Sequence, residues 1–422
     1  MRILTLSNLY PPHYVGGYEL QCQTIVEALR RRGHQVDVLT SDHALDTQSK
    51  PLQESGVARA LRIHGMFGHP WLGILQLRAL EQHNNQALRS ALEKTKPDLV
   101  YVWNCSGLSK SMLFTLQKTG LPTVFALCDH WIARSEKADV WLHWWNDPKP
   151  GLAHRLLRAI WTLSGQRRRC DQSAPTRPVH DLQFRRIHFC SRALRDLTAA
   201  AGFDVDHGAI IRCSVNTQLF KGTPRPPSQP LQRLLYVGRL TEDKGVMTAL
   251  RAFALLRDKF AGSLSIYGRG DADYEARLKS FAGEQNLPVT FAGGSTPAQM
   301  PVIYASHDAL LFTSEWMEPF AIVPLEAMAS GVPVIATTTG GSAELFRSGE
   351  NSLTYSAGQP EDLARRILEL EANPALRAQI AATGQREVRE RVSEPVIVNQ
   401  VEEYLRETLD TWPRDSRVPV TV

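Results

Sequence analysis

The sequence predicts an α/β protein with two domains, each built on a parallel β-sheet. Short apolar stretches of strand length alternate with longer stretches of helical spacing along the chain, which is typical of βαβ units. The alternation restarts after the proline-rich segment 221–230, whose composition suits a linker. A chain of 422 residues is long enough for two or three domains of ordinary size. We therefore predict a first domain over 1–220 and a second over 221–394.

Composition narrows the class of function. A net charge of +5 is small for 422 residues, so it does not indicate a nucleic-acid-binding protein and suits small anionic ligands or lipid headgroups. The six cysteines are scattered without the spacing of zinc sites, which favours free thiols in a reducing compartment. The chain opens with a strand pattern, and no apolar stretch is long enough to cross a membrane. We expect a cytoplasmic protein, with peripheral contact on the inner membrane surface left open.

The first domain begins with a strand, a loop and a helix. Residues 2–7 alternate as a strand does, and the helical pattern after the loop ends at Gly33. Gly16 and Gly17 close the loop, where they would let backbone approach a ligand near the helix N-terminus. A glycine pair is more often only a turn, so this interpretation needs support from elsewhere.

A later strand of the first domain leads into polar residues. The apolar stretch 122–128 predicts a buried strand, and Asp129 and His130 follow it directly. Open α/β sheets bind ligands at the carboxyl ends of their strands, which makes both residues site candidates. The alternative is that His130 is a structural histidine in a turn.

Segment 134–186 is rich in tryptophan and arginine. Residues 152–169 can be drawn as one helix with leucine and isoleucine on one side and arginines on its flank. Such a helix suits an anionic membrane surface or a lipid-linked acceptor, so we expect possible peripheral membrane contact through 152–169. An insertion packed on its own domain explains the pattern as well, and Trp and Arg also stack on sugars.

The second domain opens with a strand followed by two cations. Gly238 and Arg239 end the strand, and Lys244 lies five residues after Arg239 across the turn to a helix. Both side chains could bind one diphosphate, the guanidinium through its planar fork and the ammonium as a point charge. Surface turns often carry both charges, so the pattern alone is moderately specific.

Segment 318–341 combines two carboxylates with a helix start. Glu318 precedes the predicted helix and Glu326 lies in its first turns, where Pro324 is tolerated because early N–H groups have no partner within the helix. The helix pattern stops at Gly331, and a strand buried on both faces follows.

A helix N-terminus offers free N–H groups and a partial positive charge, which favours an anion. A ligand with phosphate and hydroxyls could use the amides of Phe320, Ala321 and Ile322 for phosphate and the carboxylates of Glu318 and Glu326 for hydroxyls. A nucleotide sugar is such a ligand. The alternative is that the acidic residues only complement the helix dipole.

Asp271 and Asp273 form a D-x-D pair, a spacing that can hold a divalent cation. They open a predicted helix, where acidic side chains are favoured by the dipole in any case. We therefore expect no metal site here.

The sequence of 318–341 resembles the E-x-F-G-x-x-x-x-E signature of retaining glycosyltransferases of family 4, and the similarity extends over nearly the whole chain. Ala321 stands where the family usually has glycine, and Cys128 stands where it usually has histidine. The resemblance implies the GT-B architecture, with two Rossmann-like domains facing each other across a cleft. It also implies that the last helix, 395–412, crosses back to the first domain.

The resemblance further implies an activity: transfer of a sugar, with retention of configuration, from a nucleotide diphosphate sugar to a hydroxyl acceptor, without metal or cofactor. Arg239 and Lys244 would neutralise the leaving diphosphate. Glu326 would bind ribose hydroxyls and Glu318 sugar hydroxyls. The acceptor, whether glycan, lipid-linked or small molecule, is not specified.

The same resemblance places the loop with Gly16 and Gly17 near the diphosphate and the acceptor, and it lets Asp129 or His130 orient the acceptor. Two alternatives remain open. A hydrolase could use Glu318 and Glu326 as acid and base, but it would leave the two cations without a role. The second alternative is a protein that binds a nucleotide sugar but no longer catalyses transfer, because Cys128, Cys213 and Ala321 depart from the family pattern.

Overall fold

The computed structural model describes residues 1–44, 54–226 and 228–413. The chain packs as two compact units. Unit 1 holds Met1–Ile211 together with the chain from Val398 onward, and unit 2 holds Arg212–Ile397. Each unit is built on one parallel sheet, which confirms the predicted α/β class with two parallel-sheet domains. By this division the segment 221–230 lies within unit 2, and its Pro227 is outside the described residues.

The sheet of unit 1 has seven described strands. They are β1 (Arg2–Leu6), β2 (Gln35–Ser41), β3 (Val57–Leu61), β4 (Leu99–Val102), β5 (Thr123–Leu127), β6 (Ile187–Phe189) and β7 (Ala209–Ile210). Their order is β3-β2-β1-β4-β5-β6-β7, and every neighbouring pair is parallel. Every residue of β4 and β5 is buried, as expected for central strands covered on both faces.

Eight described helices connect these strands. They are α1 (Gly17–Arg31), α2 (Ile74–Thr95), α3 (Ser111–Lys118), α4 (Ser135–Ala138), α5 (Val140–Asn146), α6 (Leu152–Leu163), α7 (Gln166–Ser173) and α8 (Arg192–Ala200). One difference from the sequence interpretation concerns 152–169. It forms two helices rather than one, because Gly165 adopts φ 73°, a left-handed conformation that interrupts the helix.

The sheet of unit 2 has six described strands. They are β8 (Arg233–Val237), β9 (Ser263–Tyr267), β10 (Val289–Gly293), β11 (Ala309–Phe312), β12 (Val334–Thr337) and β13 (Leu353–Tyr355). Their order is β10-β9-β8-β11-β12-β13, again parallel throughout. The spatial order of the strands reverses at β8: β9 lies on one side of it and β11 on the other. Because β8 and β11 are parallel, their carboxyl ends meet at one edge of the sheet, where such sheets bind ligands.

Six helices flank this sheet: α9 (Val246–Leu256), α10 (Ala272–Glu284), α11 (Met300–Ala305), α12 (Val323–Ala329), α13 (Pro360–Ala372) and α14 (Pro374–Arg391). Leu250 and Phe253 of α9, Leu264 of β9 and Leu363 of α13 belong to one buried core. Asp271 accepts hydrogen bonds from the amides of Asp273 and Tyr274, so the first aspartate of the D-x-D pair is the N-cap of α10.

The last described helix, α15 (Glu394–Thr411), begins in unit 2 and ends in unit 1. Its second half is held by side chains of unit 1. Arg32 and His34 contact the Glu402 carboxylate at 2.6 and 2.9 Å, and the Tyr404 hydroxyl donates to the Ile187 carbonyl at 2.9 Å. None of the helices in the described ranges combines the length and the apolar character that crossing a bilayer requires.

Candidate active site

The turn after β8 carries the predicted cations of unit 2. A short 3₁₀ turn over Glu242–Lys244 leads into α9 through Gly245, whose φ is 65°. A Cβ added at Gly245 would lie 2.0 Å from the Thr313 carbonyl oxygen. Only glycine allows so close an approach, so it is Gly245 that brings the turn against the residues following β11.

Lys244 and Glu318 form an ion pair at this edge of the sheet. The ammonium donates to Glu318 Oε1, and the Ser314 hydroxyl donates to the same oxygen at 2.7 Å. The Lys244 and Glu318 side chains are 16% and 9% exposed, so solvent weakens their attraction little. The ammonium also lies 5.2 Å from the centre of the Trp316 ring, a cation–π contact.

The backbone of Glu318 is fixed by the loop after β12. The Gly341 amide donates to the Glu318 carbonyl at 2.7 Å. Gly340 has φ 56°, and a Cβ there would lie 2.4 Å from the same carbonyl oxygen. The two glycines thus hold the residue that carries the carboxylate.

Glu326 lies in α12 and takes a different partner. The Tyr304 hydroxyl of α11 donates to Glu326 Oε2 at 2.9 Å. Burial raises the pKa of Glu326 to about 7, while the hydrogen bond from Tyr304 works in the opposite direction. The structure therefore makes Glu326 a carboxyl group that titrates near neutral pH.

Arg239 is exposed at the end of β8. Among the residues that the structure describes, no carboxylate forms an ion pair with its guanidinium. The backbone beside it is tightly packed, because a Cβ added at Gly268 would lie 1.8 Å from the Gly238 carbonyl oxygen. The Arg239 side chain thus projects from tightly packed backbone and carries a positive charge that no described carboxylate neutralises.

The segment before α12 contains the three predicted amide donors. Phe320 and Ala321 are buried, and Ile322 is the N-cap residue of the helix. Within the described ranges, no carbonyl or side chain accepts a hydrogen bond from these three amides. Their N–H groups are therefore available to an external acceptor.

In unit 1 the glycine pair stands at the start of α1. Gly16 is the N-cap residue, and its amide donates to the Glu19 carboxylate at 3.0 Å. Its φ of −154° is extended, and a Cβ added there would meet no atom closer than 3.9 Å. The fold itself does not require glycine at Gly16. Gly17 is the first residue of the helix.

Asp129 and His130 line a cavity of unit 1 with a volume of about 120 Å³. The buried His130 donates its amide to Asp129 Oδ1 at 2.6 Å. Trp71, Lys110 and Asp139 line the same cavity. Cys128, the first residue after β5, is half-buried.

Sequence reasoning missed several residues of these sites. Lys110 is buried, and its ammonium donates to the carbonyls of Cys105 and Leu108 at 3.1 and 3.0 Å. It sits before a short helix far from Asp129 in sequence, so no local signal marks it. Ser314 could have been predicted from the sequence, because it follows the buried strand β11 just as Asp129 follows β5.

The sequence models of two protein families match adjacent parts of the chain. The sequence model described as Glycosyltransferase Family 4 matches residues 15–219, and the one described as Glycosyl transferases group 1 matches residues 224–387. Among curated relatives, spore coat protein SA of Bacillus subtilis is 30% identical over 162 residues, which are 36% of this chain and 43% of the relative. The chain thus spans less than half the length of that relative.

Solved structures share the fold over nearly the whole chain. Sucrose-phosphate synthase from Thermosynechococcus elongatus superposes with a TM-score of 0.70 at 19% identity, covering 97% of this chain and 99% of the other. Anabaena Alr3699/HepE in complex with UDP superposes with a TM-score of 0.65 at 20% identity, covering 96% and 100%. The two sequence models together span most of the chain, so the chain belongs to the group 1 and family 4 glycosyltransferases and has their GT-B fold.

Proposed function

We propose that this chain is a retaining, metal-independent glycosyltransferase that moves a sugar from a nucleotide diphosphate sugar to a hydroxyl acceptor. The observation that carries the proposal is the contact between Lys244, from the turn after β8, and Glu318, from the loop before α12. A cation for phosphate and a carboxylate for hydroxyls meet there, and exposed Arg239 lies five residues before Lys244 in the chain. An activated sugar needs both kinds of group.

Arg239 and Lys244 are assigned to the diphosphate. The Lys244 ammonium has three N–H donors, so it can keep its bond to Glu318 while donating to a phosphate oxygen. The positive charge of Arg239 is free to act on a phosphate, since no described carboxylate pairs with the guanidinium. Together they would stabilise the negative charge that develops on the leaving diphosphate. The amides of 320–322 would add donors to the same group.

Glu318 and Glu326 are assigned to hydroxyls. Glu318 Oε1 already accepts from Lys244 and Ser314, which leaves Oε2 for a sugar hydroxyl. Glu326 would accept from the ribose, with its second oxygen held by Tyr304. The HepE structures with UDP, and with UDP and glucose, support a nucleotide donor by likeness of fold.

The acceptor side is assigned to unit 1. Asp129 and His130 line a cavity with Lys110, and one of the two would orient the acceptor hydroxyl. The glycine pair Gly16–Gly17 would let backbone approach the ligand, and the structure supplies no steric reason for glycine at the first position.

The test is Lys244→Ala, with Lys259→Ala as the matched control, since Lys259 is exposed in the same unit. We expect Lys244→Ala to lower transfer at least 100-fold, the usual cost of removing one group that stabilises transition-state charge. Lys259→Ala should keep full activity. Sugar transfer is measured with a panel of nucleotide sugars and acceptors, and circular dichroism checks the fold.

Full activity in a folded Lys244→Ala variant would overturn the diphosphate assignment. Release of nucleoside diphosphate that needs no acceptor would favour the hydrolase. Donor binding by calorimetry without turnover on any acceptor would favour the inactive binding protein.

A further inference from the structure

Helix α6 turns its polar and aromatic side towards the protein. His154, Arg158 and Trp161 lie on one side of the helix and are its half-buried residues. His154 Nε2 lies 2.7 Å from the Trp144 carbonyl oxygen, and the Arg158 guanidinium donates to the Trp145 and Asp147 carbonyls at 2.9 and 3.1 Å. These contacts fix the orientation of α6.

The opposite side of α6 is aliphatic and exposed. We call it the α6 apolar face; it consists of Leu152, Leu156, Ile160 and Leu163, which are 78%, 66%, 58% and 89% exposed. No residue of α6 is buried. A surface helix of a globular protein normally turns its apolar stripe inward, so this helix is inverted. Such a patch marks an interaction surface.

Two further apolar side chains are exposed around the start of α2, which lies near α6. The Arg78 guanidinium lies 5.6 Å from the centre of the Trp161 ring, which places the first turns of α2 beside α6. Leu75, one turn before Arg78, and Trp71, just ahead of α2, are each 67% exposed. Trp71 also lines the cavity with Asp129 and His130.

The charges beside the face are of one sign. The exposed charged side chains of α6 and α7 are Arg155, Arg168 and Arg169. In a symmetric dimer formed through this face, arginines would approach arginines, which is unfavourable. An anionic lipid surface complements both features, because leucines enter the boundary between headgroups and acyl chains while arginines contact the headgroups.

We propose that the α6 apolar face and its arginines dock unit 1 on an anionic lipid bilayer. The helix lies in the plane of the membrane surface. The docking itself does not depend on the proposed sugar transfer.

The test is co-sedimentation of the full-length chain with vesicles of phosphatidylcholine alone or of phosphatidylcholine and phosphatidylglycerol in equal parts. Wild-type protein should sediment with the anionic vesicles and far less with the neutral ones. Leu156→Asp should lower the bound fraction at least fivefold. Val302→Asp is the matched control, because Val302 is an aliphatic side chain 73% exposed on α11 of unit 2, and it should bind like wild type.

A second variant separates charge from apolar contact. Replacing Arg168 and Arg169 by Glu should abolish the preference for anionic vesicles, and thermal melting of each variant checks the fold. Equal binding of Leu156→Asp and Val302→Asp would overturn the proposal, as would no wild-type binding to either vesicle. A wild-type dimer in analytical ultracentrifugation that Leu156→Asp dissociates, without vesicle binding, would show that the face joins two copies instead.

Discussion

At the scale of single residues, the candidate donor site depends on how each charged group is paired. Glu318 shares one oxygen between Lys244 and Ser314, which orients the carboxylate and keeps the ammonium close. Glu326 is held by Tyr304 and has its pKa raised to about 7 by burial. Two glutamates eight residues apart therefore have different surroundings: Glu318 pairs with an ammonium, whereas buried Glu326 accepts from a neutral hydroxyl.

Tyr304→Phe should move the pH dependence of donor binding. The Tyr304 hydrogen bond lowers the pKa of Glu326, so its loss raises that pKa further above 7. If ionised Glu326 accepts the ribose hydroxyls, affinity for the nucleotide diphosphate sugar rises as pH increases through this pKa. The midpoint measured by calorimetry should therefore shift to higher pH in the variant, and Glu326→Gln should give a flat profile. A midpoint unchanged by Tyr304→Phe would contradict the proposed role of the hydrogen bond.

At the scale of elements, backbone approach and buried polar contacts decide how loops and helices are placed. Gly340 lets the loop after β12 approach the Glu318 carbonyl, and Gly245 lets the turn before α9 approach the Thr313 carbonyl. Between α2 and α3, the Ser111 hydroxyl donates to buried Glu81 at 2.6 Å and Asn85 donates to Ser111 at 2.9 Å. These contacts align the two helices.

Gly340→Ala should disturb Glu318. The new methyl would lie 2.4 Å from the Glu318 carbonyl oxygen, and φ 56° is unfavourable for alanine. We expect a loss of about 1–3 kcal/mol in stability, the usual range for such strain, together with weaker donor binding. Gly349→Ala is the control, because its φ is 81° and no atom lies within 4 Å of the added Cβ. Equal donor affinity in the two variants would show that the Gly340 loop does not position Glu318.

Glu81 should make the stability depend on pH. Burial, and then the negative charge of Asp139, raise the pKa of Glu81 from 4.5 to about 8. Between pH 4.5 and pH 8, Glu81 therefore keeps its proton in the folded chain but has lost it in the unfolded chain. The free energy of unfolding consequently falls as pH rises from 4.5 to 8. The slope from this one group is at most about 1.4 kcal/mol per pH unit.

Urea denaturation of wild type and Glu81→Gln at several pH values measures this effect. The amide cannot release a proton, so the variant should lose less stability towards pH 8 than wild type. Parallel curves for the two proteins would mean that Glu81 keeps an ordinary pKa.

At the scale of the whole molecule, each unit has its own sheet and its own candidate site residues. Helix α15 begins in unit 2 and ends in unit 1. Glu402 is one of the polar contacts of its second half. Hydrogen bonds from Arg406, and then from Arg32, lower the pKa of Glu402 to about 2, and His34 contributes as well. The ion pairs place this part of α15 against the end of α1 and the start of β2.

Glu402→Ala should destabilise unit 1 by about 1.5–3 kcal/mol, the range for hydrogen bonds to charged groups. The pKa of Glu402 is lowered, so its contribution is complete above pH 4.5 and is lost as pH falls towards 2. Glu403→Ala is the matched control, since the neighbouring Glu403 is exposed. Calorimetric melting at pH 7 should separate the two variants by several degrees. Identical melting would show that the ion pairs of Glu402 contribute nothing measurable to stability.

The sequence by itself determined the class of fold. Buried strands and amphipathic helices have periods that can be counted, and the helix over 323–329 ends before Gly331, as its pattern predicted, because glycine takes the left-handed φ of 74° there. The same periodicity failed at 152–169, where Gly165 breaks one predicted helix into two. Strand β3 was not predicted either, because its exposed positions weaken the apolar pattern.

Only the tertiary structure decided which side chains meet. Lys244 and Glu318 are 74 residues apart, and their contact depends on parallel strands ending at one edge and on glycines that admit close backbone approach. The partner of Glu326, the buried Lys110 beside Asp129, and the outward direction of the α6 leucines likewise depend on packing between distant segments. Periodicity tells which residues share a face of a helix, whereas the direction of that face is set by what it packs against.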